Sequence, residues 1–441
     1  MEGRAVLSQA AAAVGDDHPL TTVEDTIRSP MTAPQAVAAG ATGRSPFSSA
    51  VPPSGRLLVA MLARLTEGEL SLTTPDRRGH RFGPGGSGAP RAELALHDWR
   101  IAREVLAGGD IAFAEAYMDG RWDTPDLTAL LTLLAANRPA LERAFYGDAL
   151  RRAMFRVKHW LNANTRRQAK RNVVAHYDLG NEFYGLWLDE TMTYSSALFG
   201  TDRGTPLAAA QRAKYHRILT ELALPPGAHI LEIGCGWGGF AESAARAGYR
   251  VTGLSLSDAQ TAYARERLRR AGLGGRAEFR LQDYRDVRGR FDGVASIEMF
   301  EAVGERWWPA YFRAVRGALV PGGRACIQTI TIADARFDRY RTQSDFIQQF
   351  IFPGGMLASP SRFAAEARAA DLEPAGAHVF GRDYAETLQR WIAAFDAHAD
   401  KIRAQGFGER FRRCWRFYLA YCAAGFATGS TDVGQYTLVA R

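Results

Sequence analysis

The second half of the chain alternates between short apolar runs and longer stretches in which apolar residues recur at helical spacing. The short runs predict strands over 228–233, 249–254, 277–281, 291–297 and 324–330. The helical spacing predicts helices over 207–222, 238–247, 258–271 and 307–318. Such alternation is typical of a doubly wound parallel sheet. A last strand, 435–440, follows only after roughly a hundred mainly helical residues, which predicts a lid over the strand ends at about 332–432.

The first part of the chain differs in residue composition and in its predicted elements. Residues 1–55 are rich in Ala, Gly, Ser, Thr and Pro, so we expect a mostly disordered tail. Residues 56–148 predict a small α+β domain, with strands near 70–73 and 92–97 and a compact apolar helix at 127–136.

A basic connector, residues 149–174, precedes the larger domain, which we place at 175–441. Its basic residues are Arg151, Arg152, Arg156, Lys158, Arg166, Arg167, Lys170 and Arg171. Interleaved apolar residues make part of the connector an amphipathic helix. One interpretation is a helix packed between domains; the other is an interfacial segment that attracts anionic lipid headgroups, at roughly 1 kcal/mol per basic side chain.

Composition narrows the class of protein. The 441 residues are 46% hydrophobic and 23% charged, as in ordinary globular proteins. We expect neither a transmembrane helix, which needs about eighteen apolar residues in a row, nor a secretory signal. Four cysteines without metal-type spacing predict reduced thiols in a cytoplasm and no metal site. The net charge of +8 indicates an anionic partner, either nucleic acid or an acidic membrane surface, unless the basic face is merely solvated.

A glycine loop follows the first strand of the predicted sheet, in the string Ile-Leu-Glu-Ile-Gly-Cys-Gly-Trp-Gly-Gly-Phe at 230–240. Its glycines let the backbone approach a ligand closely. A dinucleotide is one candidate, but the second strand ends in hydroxyl residues at 255–257 where an acidic residue would hold a ribose. No phosphate-binding lysine follows the glycines, which argues against a nucleoside triphosphate. The pattern therefore favours S-adenosylmethionine (SAM), with cofactor-binding residues Glu232, Gly234, Gly236 and Gly238.

Residues after the other strands are expected at the same sheet edge, because ligands bind there in doubly wound sheets. We place the ribose of SAM near Gln260 and its adenine near Asp283, while Tyr194 and Ser195 close over the cofactor from an N-terminal flap. The remaining predicted cofactor contacts are Ser255, Leu256 and Gln282.

Several longer strings resemble the cyclopropane-fatty-acyl-phospholipid synthase family, which includes the mycolic acid cyclopropane synthases. They are His176–Tyr184, Leu281–Asp286, Glu298–Gly304, Gln328–Ile330, Phe350–Gly355, Phe380–Tyr384 and Phe417–Cys422, within a resemblance from about 56 to 441. The resemblance implies a Rossmann-like class I SAM-dependent methyltransferase sheet with a helical lid insertion, preceded by the small α+β domain. It further implies action on cis-unsaturated phospholipid acyl chains at the inner membrane face, with anionic lipids as partners and no nucleic acid. A homodimer is compatible with it, and the oligomeric state stays open.

Aromatic residues suit that chemistry. An alkene is a weak neutral nucleophile, so methyl transfer needs no strong base and leaves a carbocation. Aromatic faces stabilise a cation by ~0.5–2 kcal/mol each. The candidates are Tyr177, Tyr184, Tyr194, Phe300, Phe350, Tyr384 and Phe426, each of which is alternatively a core residue.

A base must then remove a proton to close the ring. The resemblance implies that a bound bicarbonate acts as this base, and that Glu301, the backbone of Ile330 and Tyr384 hold it. The family's cysteine and histidine are replaced here by Ser196 and Gln328, which hydrogen-bond but do not titrate near neutral pH.

The predicted function is therefore conversion of the alkene to a cyclopropane, and three alternatives stay open. The same first step gives a methylene- or methyl-branched chain if the cation loses a different proton after a hydride shift. The substrate is alternatively a soluble small molecule or a nucleic acid, although the apolar flap and lid disfavour it. The third alternative is a lipid-binding protein whose catalysis has lapsed.

Overall fold

A computed structural model describes residues 51–142 and 179–441. The chain forms two compact units, and each described range belongs to one of them. The predicted connector at 149–174, most of the predicted tail and Tyr177 lie outside the described residues.

The N-terminal unit contains a four-stranded sheet with helices. Its strands, in the spatial order β2-β1-β3-β4, are β1 (Glu69–Thr73), β2 (Gly79–Phe82), β3 (Arg91–Leu96) and β4 (Trp122–Asp123). Its helices are α1 (Pro53–Leu62), α2 (Arg100–Met118), α3 (Leu127–Ala136) and α4 (Arg138–Glu142). The two predicted strands and helix α3 are confirmed. Helix α1 begins inside the segment predicted as tail, and α2 was missed because Gly109, at φ +59°, interrupts its helical pattern.

The C-terminal unit alternates helices and strands along most of its length. The strands are β5 (His229–Ile233), β6 (Arg250–Ser255), β7 (Ala277–Leu281), β8 (Phe291–Ile297), β9 (Leu319–Ile332), β10 (Leu372–Val379) and β11 (Thr431–Ala440). The helices are α5 (Asn181–Gly185), α6 (Leu207–Leu222), α7 (Gly239–Arg246), α8 (Asp258–Arg270), α9 (Trp308–Ala318), α10 (Asp334–Tyr340), α11 (Pro360–Arg368), α12 (Gly381–Ala397), α13 (Ala399–Ala404) and α14 (Glu409–Ala427). Every element predicted for 205–330 is present, with small shifts at the ends.

The seven strands form one sheet in the order β10-β11-β9-β8-β5-β6-β7. Neighbours are parallel except at β11, which pairs antiparallel with both β9 and β10. Strand β5 lies between β8 and β6, and its Ile230 is opposite Gly293 of β8 and Val251 of β6. The carboxyl ends of these three strands therefore meet at one edge, where the chain order reverses and ligands bind in such sheets.

Both faces of the sheet are covered around β5, β6 and β8, which explains why these strands are mostly buried, whereas edge strand β7 alternates between apolar and charged residues. One face packs against α6, α7 and α8, through side chains such as Ile218, Phe240 and Leu268. The other face packs against α9 and α11, through side chains such as Phe312 and Phe363.

The segment between β9 and β11 differs from the predicted helical lid because it contributes β10 to the sheet. Pro374 and Gly376 flank a register shift in β10, and these residues conceal the strand pattern in the sequence. The helical part of the segment consists mainly of α12 and α14. These helices lie beside the strand ends, since Tyr384 of α12 donates a hydrogen bond to Glu298, the residue directly after β8. Across 51–142 and 179–441, no helix combines the length and the apolar character needed to cross a bilayer.

Candidate active site

The glycine loop after β5 has the geometry of a ligand cradle. Gly234, Gly236 and Gly238 have φ values of +85°, +48° and +82°, which L side chains rarely adopt. A Cβ at Gly234 would lie 2.8 Å from Cγ of Met299, and one at Gly238 would lie 2.9 Å from Cβ of Ala264. At Gly236 a Cβ would meet nothing within 4 Å. Gly236 is therefore the position where the loop faces open space that a cofactor can fill.

Glu232 lies just before this loop and is almost fully buried. Its Oε2 has no hydrogen-bond partner among the described residues. Burial raises the pKa of the carboxyl well above its usual range, and the charges of Arg267 and Lys214 oppose that rise. A buried carboxylate oxygen without a partner, beside an open glycine cradle, fits the donor groups of a ligand such as SAM.

The predicted ribose and adenine contacts already bond to one another or to neighbours. The Ser255 hydroxyl donates to Gln260 Oε1 (3.0 Å), so these two predicted residues do lie together. The Asp283 carboxylate accepts a bidentate ion pair from Arg285, with distances of 2.8 and 2.6 Å. Asp283 Oδ1 also accepts a hydrogen bond from the backbone N–H of Arg285 (2.9 Å), so the predicted adenine contact is fixed within its own turn. Leu256 is half-buried, and the Gln282 amide donates to the backbone oxygen of Asp286 (2.9 Å).

The predicted flap residues face other parts of the protein. Ser195 is buried, and its hydroxyl accepts a hydrogen bond from the ammonium group of Lys214. Its backbone oxygen accepts from the Gln211 amide (2.9 Å). The hydroxyls of Tyr194 and Tyr418 are 2.7 Å apart. These contacts fix the flap to α6 and α14.

A carboxylate that the sequence analysis did not select, Glu298, lies at the centre of the predicted catalytic residues. Its Oε1 accepts from the backbone N–H of Ser196 (2.9 Å) and from the Gln328 amide (2.8 Å). Its Oε2 accepts from the Tyr384 hydroxyl (2.6 Å). The Ser196 hydroxyl, by contrast, donates to the backbone oxygen of Ala197, so Ser196 contributes its main chain rather than its side chain.

The other two predicted catalytic residues bond to each other. The backbone N–H of Ile330 and the Thr329 hydroxyl donate to Glu301 Oε1. Glu301 Oε2 is buried and has no partner within the described part of the chain. Burial and then the charge of Glu298 raise the pKa of Glu301 to about 8, so this carboxyl is largely neutral at neutral pH.

Lys214 supplies a buried positive charge next to this group. Burial lowers the pKa of the ammonium group, while Glu298, Asp189 and Glu232 act in the opposite direction. Burial also raises the pKa of Glu298, and Lys214 is the main influence that lowers it. Lys214 thus favours the ionised form of Glu298.

Aromatic rings connect the glycine loop with Glu298. The centroid distances along this series are 5.0 Å for Trp237–Tyr184, 5.5 Å for Tyr184–Tyr194, 5.6 Å for Tyr194–Trp391 and 6.1 Å for Trp391–Tyr384. We call these five residues the aromatic wall. Phe426 extends it, since its ring stacks on Tyr384 at 4.4 Å.

Two predicted aromatic residues do not belong to the aromatic wall. Phe300 packs against Trp308, Tyr311 and Phe312 in the core beneath α9, and none of these rings belongs to the aromatic wall. The Phe350 ring stacks on Phe346, at a centroid distance of 5.3 Å.

Some of the site residues that the sequence analysis did not predict lie in recognisable sequence patterns. Lys214 lies between Ala210 and Ile218 on the buried face of α6, where a charged residue is unusual. Glu298 follows a buried strand directly, as acidic site residues do in this kind of sheet. Trp391 has no comparable signal, because its helical spacing is that of any core residue.

Comparison with known proteins extends this description. The family model described as mycolic acid cyclopropane synthetase matches residues 164–436. The chain is 40% identical over 374 residues to tuberculostearic acid methyltransferase of Mycobacterium tuberculosis, covering 80% of the chain and 85% of the relative. It is 34% identical over 355 residues to cyclopropane-fatty-acyl-phospholipid synthase of Escherichia coli, covering 79% of the chain and 88% of the relative.

Solved structures show the same likeness. A cyclopropane synthase from Mycobacterium tuberculosis aligns with a TM-score of 0.56 at 30% identity, covering 61% of this chain and 98% of that one. A mycolic acid cyclopropane synthase complexed with SAH and CTAB aligns with a TM-score of 0.57 at 31% identity, with the same coverage. These findings confirm the predicted class I methyltransferase fold and the prediction of SAM as cofactor.

Proposed function

Because this chain belongs to the mycolic acid cyclopropane synthetase family, we propose that it methylates cis double bonds in the acyl chains of membrane phospholipids. The family makes it a SAM-dependent methyltransferase that acts on lipid acyl chains. The phospholipid form of the substrate is supported by the relative named cyclopropane-fatty-acyl-phospholipid synthase.

The aromatic wall is the observation that carries this proposal. It runs from Trp237 in the glycine loop to Tyr384 beside Glu298, so the glycine loop and a buried carboxylate lie at its two ends. A carbocation formed along this wall is stabilised by ~0.5–2 kcal/mol per ring. Methylation of an amine or hydroxyl would need no such surface, because it forms no carbocation.

The product is a methylene-branched chain. Methyl transfer places the positive charge on the neighbouring carbon, and a hydride shift moves it to the more substituted carbon that bears the new methyl. Because the aromatic wall stabilises the cation and prolongs its lifetime, the shift precedes proton loss. The relative with 40% identity, which is named a methyltransferase rather than a cyclopropane synthase, supports this outcome.

Cyclopropane formation is the second candidate, favoured by the family description and by the Escherichia coli relative. Both routes remove a proton from the transferred methyl group, so one base serves either. They differ in whether the hydride shift comes first. A saturated methyl branch would require a hydride donor from a separate reaction.

Expression of the chain in a host that makes unsaturated phospholipids should add one carbon and two hydrogens to their acyl chains. Mass spectrometry measures the gain, and chromatography against methylene-branched and cyclopropane standards identifies the product. We expect the methylene-branched form to dominate. Unmodified lipids from cells containing folded, SAM-binding protein would contradict the proposal and support a lapsed enzyme that only binds lipid.

We also expect the protein to act at an anionic bilayer, helped by its net charge of +8 and by exposed basic residues such as Lys401 and Arg403. Part of the Arg-rich stretch at 403–416 is paired with acids, since Arg403 pairs with Asp400, Arg412 with Glu409 and Arg416 with Asp396.

Co-sedimentation with vesicles that contain anionic lipid should fall as salt is added, because the screening length shrinks from ~10 Å at 0.1 M to ~3 Å at 1 M. Arg403→Gln should weaken binding more than the matched control Arg270→Gln on α8, whose side chain is also exposed. Equal binding to neutral vesicles at high salt would count against the membrane proposal.

A further inference from the structure

Glu298 is held in an unusual way for an acidic side chain. It follows β8 directly, and its φ of +49° is a left-handed conformation that is strained for a non-glycine residue. Three donors from separate parts of the chain converge on its carboxylate: the Ser196 backbone, the Gln328 amide and the Tyr384 hydroxyl. Strained residues with converging donors cluster at functional sites.

These donors belong to residues at positions that the family resemblance assigned to bicarbonate, although Ser196 donates from its backbone and not from its side chain. In this chain they bind a carboxylate that belongs to the protein. The remaining two members of the predicted bicarbonate site, Glu301 and Ile330, bond to each other. The residues present therefore fit a bound bicarbonate poorly: the Ser196, Gln328 and Tyr384 donors are taken by Glu298, and only Glu301 Oε2 is left without a partner among the described residues.

We infer that the Glu298 carboxylate is the resident proton acceptor of the reaction and takes the place of bicarbonate. The inference rests on the proposed methylation of an alkene. Glu298 Oε1 accepts two hydrogen bonds, which fill its two lone pairs, whereas Oε2 accepts only the one from Tyr384. Oε2 is thus the oxygen with a lone pair left to take a proton, and it lies at the end of the aromatic wall.

The step balances without a further reactant. The alkene π pair forms the new carbon–carbon bond, and the methyl–sulfur bond breaks with its electrons left on sulfur. A C–H bond of the transferred methyl then gives its electron pair to the cationic centre, and the proton goes to Oε2. Glu298 becomes neutral and releases the proton to water before the next turnover.

The residues around Glu298 favour its role as proton acceptor. Burial and the adjacent carboxylate raise the pKa of Tyr384 well above its usual range, so that residue remains a donor and does not compete as base. The Lys214 charge favours ionised Glu298 before the reaction. Gln435 fixes the Gln328 amide by donating to its oxygen (3.1 Å), so the Gln328 NH₂ group faces Glu298.

The test measures lipid methylation by the full chain in buffer depleted of carbon dioxide, with and without added bicarbonate. Wild-type turnover should be the same in both. Glu298→Gly relieves the φ strain and opens space beside the three donors, so its turnover should fall roughly a hundredfold or more. Bicarbonate or formate should partly restore it, because either anion can occupy the opened space.

Glu298→Gln is the matched control, since it fills the same space without a basic oxygen. Its turnover should stay low with or without added anion, while calorimetry should show SAM affinity like that of the wild type. Bicarbonate-dependent wild-type turnover, or near-normal turnover of Glu298→Gln, would overturn the inference. Wild-type protein that binds SAM but methylates no lipid in either buffer would instead refute the proposed function.

Discussion

Replacing Gly236 by valine should abolish SAM binding while leaving the fold of the C-terminal unit in place. At this position φ is +48° and an added Cβ meets no atom within 4 Å, so the protein itself has room for part of the side chain. The branched side chain would fill the space in the glycine cradle that the cofactor must enter. Strain in the backbone adds a cost on the order of 1–3 kcal/mol to folding, which a domain of this size should tolerate.

The matched control is Gly248→Val, at the turn after α7. Gly248 also has positive φ, at +93°, and a Cβ there likewise meets nothing within 4 Å. Both variants should lose stability in thermal unfolding, but only Gly236→Val should lose SAM binding in titration calorimetry. Wild-type affinity in Gly236→Val would show that the cofactor does not lie against this loop position.

Substituting Glu301 by glutamine should change how stability depends on pH. The pKa of this carboxyl rises from the usual 4.5 to about 8 in the folded protein, mainly through burial. Below pH 4.5 the carboxyl is protonated in both the folded and the unfolded state, so no pH dependence arises there. Between 4.5 and 8 the unfolded chain releases the proton and the folded chain keeps it. The free energy of unfolding of the wild type therefore falls across this window, by up to about 5 kcal/mol.

The glutamine side chain does not titrate, so this loss should be absent in Glu301→Gln. Its stability relative to the wild type should grow from pH 4.5 to about 8 and stay constant above. Denaturant unfolding at several pH values measures the difference. Glu190→Gln, which makes the same change on a side chain that is 72% exposed, should leave the wild-type profile in place. Parallel profiles for wild type and Glu301→Gln would show that the folded protein does not retain this proton.

Much of the C-terminal unit follows from sequence because its strands and helices have strong local patterns. The strand 291–297 and the helix 207–222 were predicted with the limits that the structure shows. The Glu232–Gly238 loop could be predicted equally well, since only glycine adopts the positive φ values of this loop without strain. Strand β10 escaped prediction because it is held by pairing with β11, a contact between segments distant in the chain.

The predicted catalytic residues show the same division. The sequence determined the fold, and it predicted the cofactor loop and most of the residues around Glu298, because each lies in a local string with a recognisable pattern. Only the tertiary structure decided what those residues bind. The distance in sequence from Ser196 to Tyr384 hides the fact that both converge on Glu298. A hydrogen bond depends on positions in space to within a few tenths of an ångström, and no local pattern of residues specifies that.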